Sequence, residues 1–298
     1  MPNITRTLVA IDFSPASLAA LDFAQVLAHA DVAPAIHAVH AFALPMVPLP
    51  TGDVLLAADF DLRARQEIER ALREVVAAHR DPSLPIEAIV LDGPAGSAIV
   101  EHAARLGCAR IVVGATGRGV LPRLLIGSIA ERIVRTSTLD VVVVPLARPG
   151  APPNAIRRIV CATDFSAPSE VALLRAIEFA RAHAAPVDIV HAWEPAPYTN
   201  RVAGLMASVE HELERALDET LVRHRSPTLQ ISAAIRHGRA AETIVAFAVE
   251  RGSDLIVTGT TGKTGLDHLL LGSVAERVVR LSPVPVLVAR PRASTVRA

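Results

Sequence analysis

The sequence predicts an α/β protein built from two tandem copies of one domain, each a Rossmann-like parallel sheet flanked by helices. Three observations lead there. Short β-branched apolar runs alternate with helical segments along the chain. The chain also repeats itself: TLVAIDFSPAS (7–17) resembles RIVCATDFSAPS (158–169), VVGATGRG (112–119) resembles VTGTTGKTG (257–265), and LLIGSIAERIVR (124–135) resembles LLLGSVAERVVR (269–280). Finally, 298 residues suit two domains of roughly 150 each.

In the first half, Thr7–Ile11 is a short apolar run and reads as a buried strand. Ser14-Pro15 opens a helix to about Ala30, with serine as N-cap and proline at the first helical position. Ile36–Phe42 is a second strand and Leu62–His79 a long helix whose Arg–Glu face is solvated. Ile86–Leu91 follows as a strand, Ala95–Leu106 as a helix stopped by Gly107, and Ile111–Val113 as a fourth strand. Ser128–Thr136 is a helix and Val141–Val144 a fifth strand. Asp12 and Asp164 are offset by 152 residues, but Gly114/Gly259 and Gly127/Gly272 by 145, so the first half carries seven extra residues, placed in proline-rich 43–58. LARPGAPPNAI (146–156), with Pro145 before it, reads as a linker between domains at 1–147 and 156–290.

Composition narrows the function. Thirty basic and thirty acidic residues give no net charge, which speaks against a sequence-blind nucleic-acid binder. No apolar run reaches the length of about 18 residues that spans a bilayer, and MPNITRTLVAIDFS lacks the charged start and apolar centre of a signal peptide. Two cysteines, Cys108 and Cys161, make neither a disulfide framework nor a zinc site. A cytoplasmic protein without nucleic-acid or membrane partners is expected.

The chemistry lies in a duplicated glycine pattern. Gly114-Ala-Thr-Gly117 is followed after nine residues by Gly127-Ser128, and Gly259-Thr-Thr-Gly262 after nine by Gly272-Ser273. Glycines let phosphates approach the backbone, and free N–H groups at a helix start attract anions. The competing reading is structural: Ser128-x-x-Glu131 and Ser273-x-x-Glu276 also match capping boxes that need no ligand. GTTGKT (259–264) imitates a Walker A loop, but that pattern's first glycine falls on Val257.

With an aspartate at the end of the first strand, this pattern resembles the universal stress protein family, in its tandem ATP-binding form, over nearly the whole chain and twice. The resemblance implies an adenine-nucleotide-alpha-hydrolase-like sheet of order 3-2-1-4-5, domains paired through their fifth strands, ATP with Mg²⁺ as ligands, and a role in stress survival with little hydrolysis. It assigns adenine and ribose contacts to Ala10, Asp12, Ala162 and Asp164, with Ser14 and Ser166 capping the next helix and leaving the aspartates to the ligand. Ala41, Ala192, Val113 and Thr258 fall on base-side positions; many members carry a larger aliphatic where the alanines stand. Gly114, Thr116, Gly117, Gly127 and Ser128 match the phosphate and ribose loop, as do Gly259, Thr261, Gly262, Gly272 and Ser273, with Ile129 and Val274 as backbone contacts. Some members have histidine at Thr116 and Thr261. Arg118 and Lys263, the chain's only lysine, are candidate counter-charges for phosphate.

Other features read as structural. His37 and His40 point to opposite faces of a strand and cannot share a metal; His40 and His191 read as strand-end residues near the pocket, and Cys161 as a small core residue. Readings from other classes are a slow ATPase or nucleotidyl-transfer enzyme, and a nucleotide-free interaction module. A homodimer, or an internal pseudo-dimer through VVVV (141–144) and VPVLVA (284–289), is expected, with the proline-rich loop 44–53 as a lid or partner surface.

Overall fold

The computed structural model describes residues 4–43, 58–117, 126–146, 155–194, 203–260 and 271–291. Most of the insertion placed at 43–58 and most of the linker lie outside them. The first half runs β1 (Thr5–Ala10), α1 (Pro15–Ala28), β2 (Pro34–Phe42), α2 (Ala58–His79), β3 (Ile86–Asp92), α3 (Ala95–Arg105), β4 (Arg110–Gly114), α4 (Ser128–Thr136), β5 (Asp140–Val144). The second half repeats it: β6 (Ile159–Ala162), α5 (Ala167–His183), β7 (Val187–Trp193), α6 (Ala203–His224), β8 (Ile231–His237), α7 (Ala240–Glu250), β9 (Leu255–Thr258), α8 (Ser273–Leu281), β10 (Val286–Val288). Helix α1 starts as the sequence predicts: the Ser14 hydroxyl accepts from Ser17 N–H and proline stands in the first turn. Ser166 does the same for α5.

The strands form one ten-stranded sheet, β3-β2-β1-β4-β5-β10-β9-β6-β7-β8. Each half has the order expected from the resemblance, and all pairs within a half are parallel. The halves join where β5 meets β10 antiparallel, pairing Val141 with Val288, Val142 with Leu287 and Val143 with Val286. All six side chains are buried, none more than 1% exposed, and each contributes about 1.5–3 kcal/mol on leaving water. Alternation along these strands sends Val142, Val144 and Leu287 to one face, and Val141, Val143, Val286 and Val288 to the other. On the first face they join Phe23 of α1, Leu72 of α2, Leu173 of α5 and Leu217 of α6. On the second they join Ile99 of α3, Ile133 of α4, Phe247 of α7 and Val278 of α8. Each core is therefore continuous through both halves.

Two buried ion pairs reinforce the junction. Asp140, at the start of β5, accepts from Arg175 Nε (2.7 Å) and from the Arg290 backbone N–H (2.7 Å), both in the second half. Arg290 donates in turn to Val134 O at 2.6 Å. Arg110 forms a bidentate pair with Asp31 (2.7 and 2.8 Å) and lies over the Phe179 ring of the second half, 5.1 Å from its centroid. Asp188, a further buried carboxylate, accepts from Arg158, Arg251 and Ser232. Burial raises its pKa, but these donors outweigh burial and hold it at about 2.

Asp140→Ala leaves Arg290 N–H and Arg175 without their shared acceptor, so urea denaturation should show a loss of about 3 kcal/mol. Stability should also fall on mild acidification. Burial, with Arg105 and His37 beside it, lowers the pKa of His102; burial chiefly lowers that of His183, against the pull of Asp31. The unfolded chain then takes up protons first, near pH 6.5, so stability present at pH 7.5 is progressively lost below about 6.5. Urea midpoints at pH 7.5 and 5.5 measure it, and His183→Gln should reduce the difference.

Candidate functional site

Between β1 and β4 the connections diverge to opposite sides, and a crevice opens beyond the carboxyl ends of the strands, the place where such sheets bind ligands. A cavity of about 420 Å³ lies there. Ala10, Ile11 and Asp12 reach it from the end of β1, His40 and Ala41 from β2. Val113, Gly114, Thr116 and Gly117 line it after β4, and Gly127, Ser128 and Ile129 at the start of α4. Ten residues singled out in the first half thus share one cavity. Arg118 lies outside the described residues. The sequence reading missed Ile11, Ser17, Ala95, Ile99 and Ala130, which also line it; apart from Ser17 they are apolar core residues, and only their neighbours in space mark them.

The turn after β1 is built around Asp12. Phe13 has φ of 64° and Phe165, its counterpart, 61°, a left-handed conformation that costs a bulky residue energy and tends to persist where surroundings enforce it. The Ser14 N–H (3.0 Å) and hydroxyl (2.5 Å) both donate to Asp12 Oδ1. Asp164 takes the same pair of bonds from Ser166. The aspartates are therefore not left wholly to a ligand: one oxygen orders the turn while the serine caps the helix. His40 donates Nδ1–H to Ile11 O at 2.7 Å, and His191 to Thr163 O at 2.9 Å. A carbonyl only accepts, so Nδ1 carries the proton. Each ring also packs on the left-handed phenylalanine, with centroids 4.9 and 4.8 Å apart.

The glycines differ in role. A Cβ on Gly114 would stand 2.7 Å from the Ala16 backbone carbon, and one on Gly259 2.7 Å from Pro168 O. These two glycines let the strand end meet the first turn of the helix, a packing need independent of any ligand. A Cβ on Gly117 would stand 2.7 Å from Asp12 Oδ2, so this glycine keeps the loop against the carboxylate. Among the described residues nothing stands closer than 3.5 Å to a Cβ at Gly127, and its φ of −65° suits any residue. The described elements leave room for a side chain there.

The capping boxes do not form. Gly127 and Gly272 occupy the N-caps of α4 and α8 and supply no side-chain hydrogen bond, while Ser128 and Ser273 are the first helical residues. Serine one position into the helix is past the place from which a hydroxyl reaches back to the third N–H. The first turn of α4 therefore offers its N–H groups to the cavity without a side-chain cap, unlike α1.

The second half repeats these contacts at Asp164, Gly259 and Gly272, and it places Ala162 and Thr258 at the ends of β6 and β9, Ala192 near the end of β7, and Ser273 and Val274 in the first turn of α8. Gly127 N–H meets Ala115 O at 2.7 Å, and Gly272 N–H meets Thr260 O at 2.6 Å. Ile11 N–H meets Val39 O, and Thr163 N–H meets Val190 O. Thr261, Gly262 and Lys263 lie outside the described residues. Among the described residues no three His, Cys, Asp or Glu side chains are grouped to hold a metal ion, and no helix is long and apolar enough to cross a membrane. Burial raises the Cys108 thiol to about 11 and pushes Cys161 higher still, so both are held as thiols.

The glycine contrast predicts stability. Gly114→Ala should cost about 1–3 kcal/mol through overpacking against α1, whereas Gly127→Ala should cost under about 1 kcal/mol, the N-cap preference alone. Thermal denaturation of the two variants side by side checks it.

A model of the universal stress protein family matches residues 3–145 and again 155–290. A universal stress protein of Mycobacterium tuberculosis is 28% identical over 261 residues, covering 86% of each chain. Universal stress protein MJ0531 of Methanocaldococcus jannaschii is 35% identical over 142 residues, 46% of this chain and 84% of its own. The crystal structure of a universal stress protein from Archaeoglobus fulgidus superposes with a TM-score of 0.70 at 20% identity, covering 96% of this chain and 98% of that one.

Proposed function

The chain belongs to the universal stress protein family, once in each half, and on that premise we propose that it binds ATP with Mg²⁺ in both halves and acts as a nucleotide-dependent stress sensor or regulator. The observation that carries the proposal is the first-half cavity, in which a carboxylate, a glycine loop and a helix start without a side-chain cap converge. Its parts sort by chemistry. Ala10, Ala41 and Val113 supply apolar wall for a base. Asp12 is the acceptor for ribose hydroxyls. Backbone N–H groups of Thr116, Gly117, Ser128 and Ile129 suit phosphate oxygens, Gly114 and Gly127 let the backbone approach them closely, and the α4 dipole favours their charge. Arg118 and Lys263 are the proposed counter-charges. Ala162, Asp164, Ala192, Thr258, Gly259, Thr261, Gly262, Gly272, Ser273 and Val274 take the same roles in the second half.

The residues fit Mg²⁺ only as the nucleotide's companion. With no three-ligand group among the described residues, the ion would be held by phosphates, water and a single protein oxygen such as that of Ser128, its usual manner with nucleotides. Bound there, it offsets phosphate charge. The joined sheet also fulfils within one chain the domain pairing expected from the resemblance, so a monomer would be complete; further assembly through the β3 or β8 edges belongs to the proposal.

Calorimetric titration of nucleotide-stripped protein with Mg·ATP should show two sites per chain. Gly127→Ala with Gly272→Ala should weaken both at least about tenfold, because a methyl then stands where phosphate must approach the backbone, equivalent to about 1.4 kcal/mol per site. Unchanged affinity in that variant would mean the loops serve only the fold.

A further inference from the structure

Beneath α3, on the side of the sheet that carries the cavity, the first half buries two histidines. β2 and β3 place His37 beside Glu87 in register. His37 Nδ1 stands 3.2 Å from Glu87 Oε2 without a hydrogen bond, and neither ring nitrogen has a hydrogen-bond partner among the described residues. α3 packs across both strands and brings His102 there. The Nδ1 of His102 is 2.7 Å from Arg105 Nη2. A guanidinium only donates, so Nδ1 accepts and the neutral ring carries its proton on Nε2, a buried atom without a partner among the described residues. The second half holds Asp188, Ser232 and Phe247 at the positions of His37, Glu87 and His102. Asp188 is ionised and bonded to Arg158, Arg251 and Ser232, so that half has no histidine in this place. The other elements around α3 add few charges. Arg6 of β1 lies on the same side, near the Cys108 thiol. β4 presents Ile111 and Val113. α4 lays the stem of Arg132 on Gly96, at the far end of α3, while its Glu131 and Arg135 pair with each other. Glu101 of α3 is exposed.

An imidazolium at position 102 would set an N–H against the Arg105 donor and place a charge among Arg105, Arg6 and His37, with Glu87 to offset it. The folded protein holds this ring neutral: burial first, then Arg105 and His37, lowers its pKa against the pull of Glu87. The same helix walls the first-half cavity with Ala95 and Ile99, and Ile99 stands one turn before His102 on the same face. We propose that His102 makes α3 an acid-sensitive wall of that cavity: protonation loosens the helix and weakens ligand binding in the first half, while the second half, with Phe247 in its place, keeps its ligand. For the ligand the proposal rests on the nucleotide reading above; the loosening of α3 does not. Once the helix opens, the ring takes up a proton near pH 6.5. Between pH 7.5 and 5.5 the opening equilibrium therefore rises by up to about tenfold. His102 is a positioning residue: it acts on the cavity through α3. Under an acid load the protein would release one nucleotide and retain the other.

The loosening is tested first without ligand, by amide exchange protection at pH 7.5 and 5.5. Ile99 and Ala103 of α3 should lose about threefold to tenfold more protection than Ile244 and Ala248, their counterparts in α7. Two variants should remove that excess. His102→Asn keeps an acceptor for Arg105 and cannot be protonated, and His102→Phe copies the second half. Equal loss in the two helices, or an excess that both variants retain, overturns the proposal. Mg·ATP titration at the two pH values supplies the binding arm, with Gly127→Ala and Gly272→Ala, made singly, telling the sites apart. The first-half site should weaken about threefold to tenfold at pH 5.5 and the second-half site should hold. Equal change at both sites overturns the acid release while leaving the nucleotide reading intact. Absence of binding heat at pH 7.5 overturns that reading, and the release with it, while exchange alone decides the loosening of α3.

Discussion

The antiparallel seam between β5 and β10 is the constraint on which the rest of this molecule depends. Parallel strands buried on both faces need neighbours on both sides, and each half alone would leave its apolar fifth strand at an edge. Pairing the two edges removes both and merges the two cores. Because the pairing is antiparallel, the carboxyl ends of the two sets of strands face opposite rims of the sheet. The carboxyl ends of β6 and β9 therefore stand apart from the first-half crevice, and no ligand can bridge the two. Anything that couples the halves must pass through the seam strands, to which each half is tied at its own end: Ala115 N–H bonds Val144 O at the end of β5, and Ala289 N–H, just after β10, bonds Thr258 O at the end of β9.

The seam is not symmetric in its polar parts. Asp140 gathers Arg175 and Arg290 from the second half, yet Phe23 and Pro285 occupy the positions that the repeat makes equivalent to Arg175 and Asp140. Likewise, Asp188 is held by two arginines and a serine, while its counterpart on β2 is His37, 3.2 Å from Glu87 on the edge strand. The duplicated fold has been kept by its apolar pattern, and the buried charges were free to diverge wherever each half found its own partners. Buried pairs of this kind lose much of their attraction to desolvation, but removing one partner strands the other. In this chain they distinguish the seam from a symmetric contact between two identical domains.

The same separation between fold and ligand runs through the glycines. Gly114 and Gly259 exist because a strand end touches a helix start, and they would be needed in a protein that bound nothing. Gly127 has space around it and an unexceptional backbone. Its place at the N-cap of α4 is one that glycine favours. Identical spacing in both halves made all of these residues look alike in sequence, though their physical reasons differ.

Much was legible in the sequence, for physical reasons. Strand and helix periodicity, the Ser-Pro helix starts and the duplication follow from local chemistry, so the elements fall within a few residues of their expected bounds, as with Ser128–Thr136. Asp12, Gly117 and Gly127 could be singled out because the repeat preserves their spacing. What tertiary structure alone decided depends on atoms far apart in the chain. It put the N-cap on Gly127 and so dissolved the capping boxes; it engaged one oxygen of Asp12 with Ser14; and it set His40 against Ile11 O, 29 residues away. It also brought Ala95 and Ile99 into the cavity and Arg175 onto Asp140. A local pattern fixes which way a residue faces along its own element. Only the packing of elements fixes what stands opposite it.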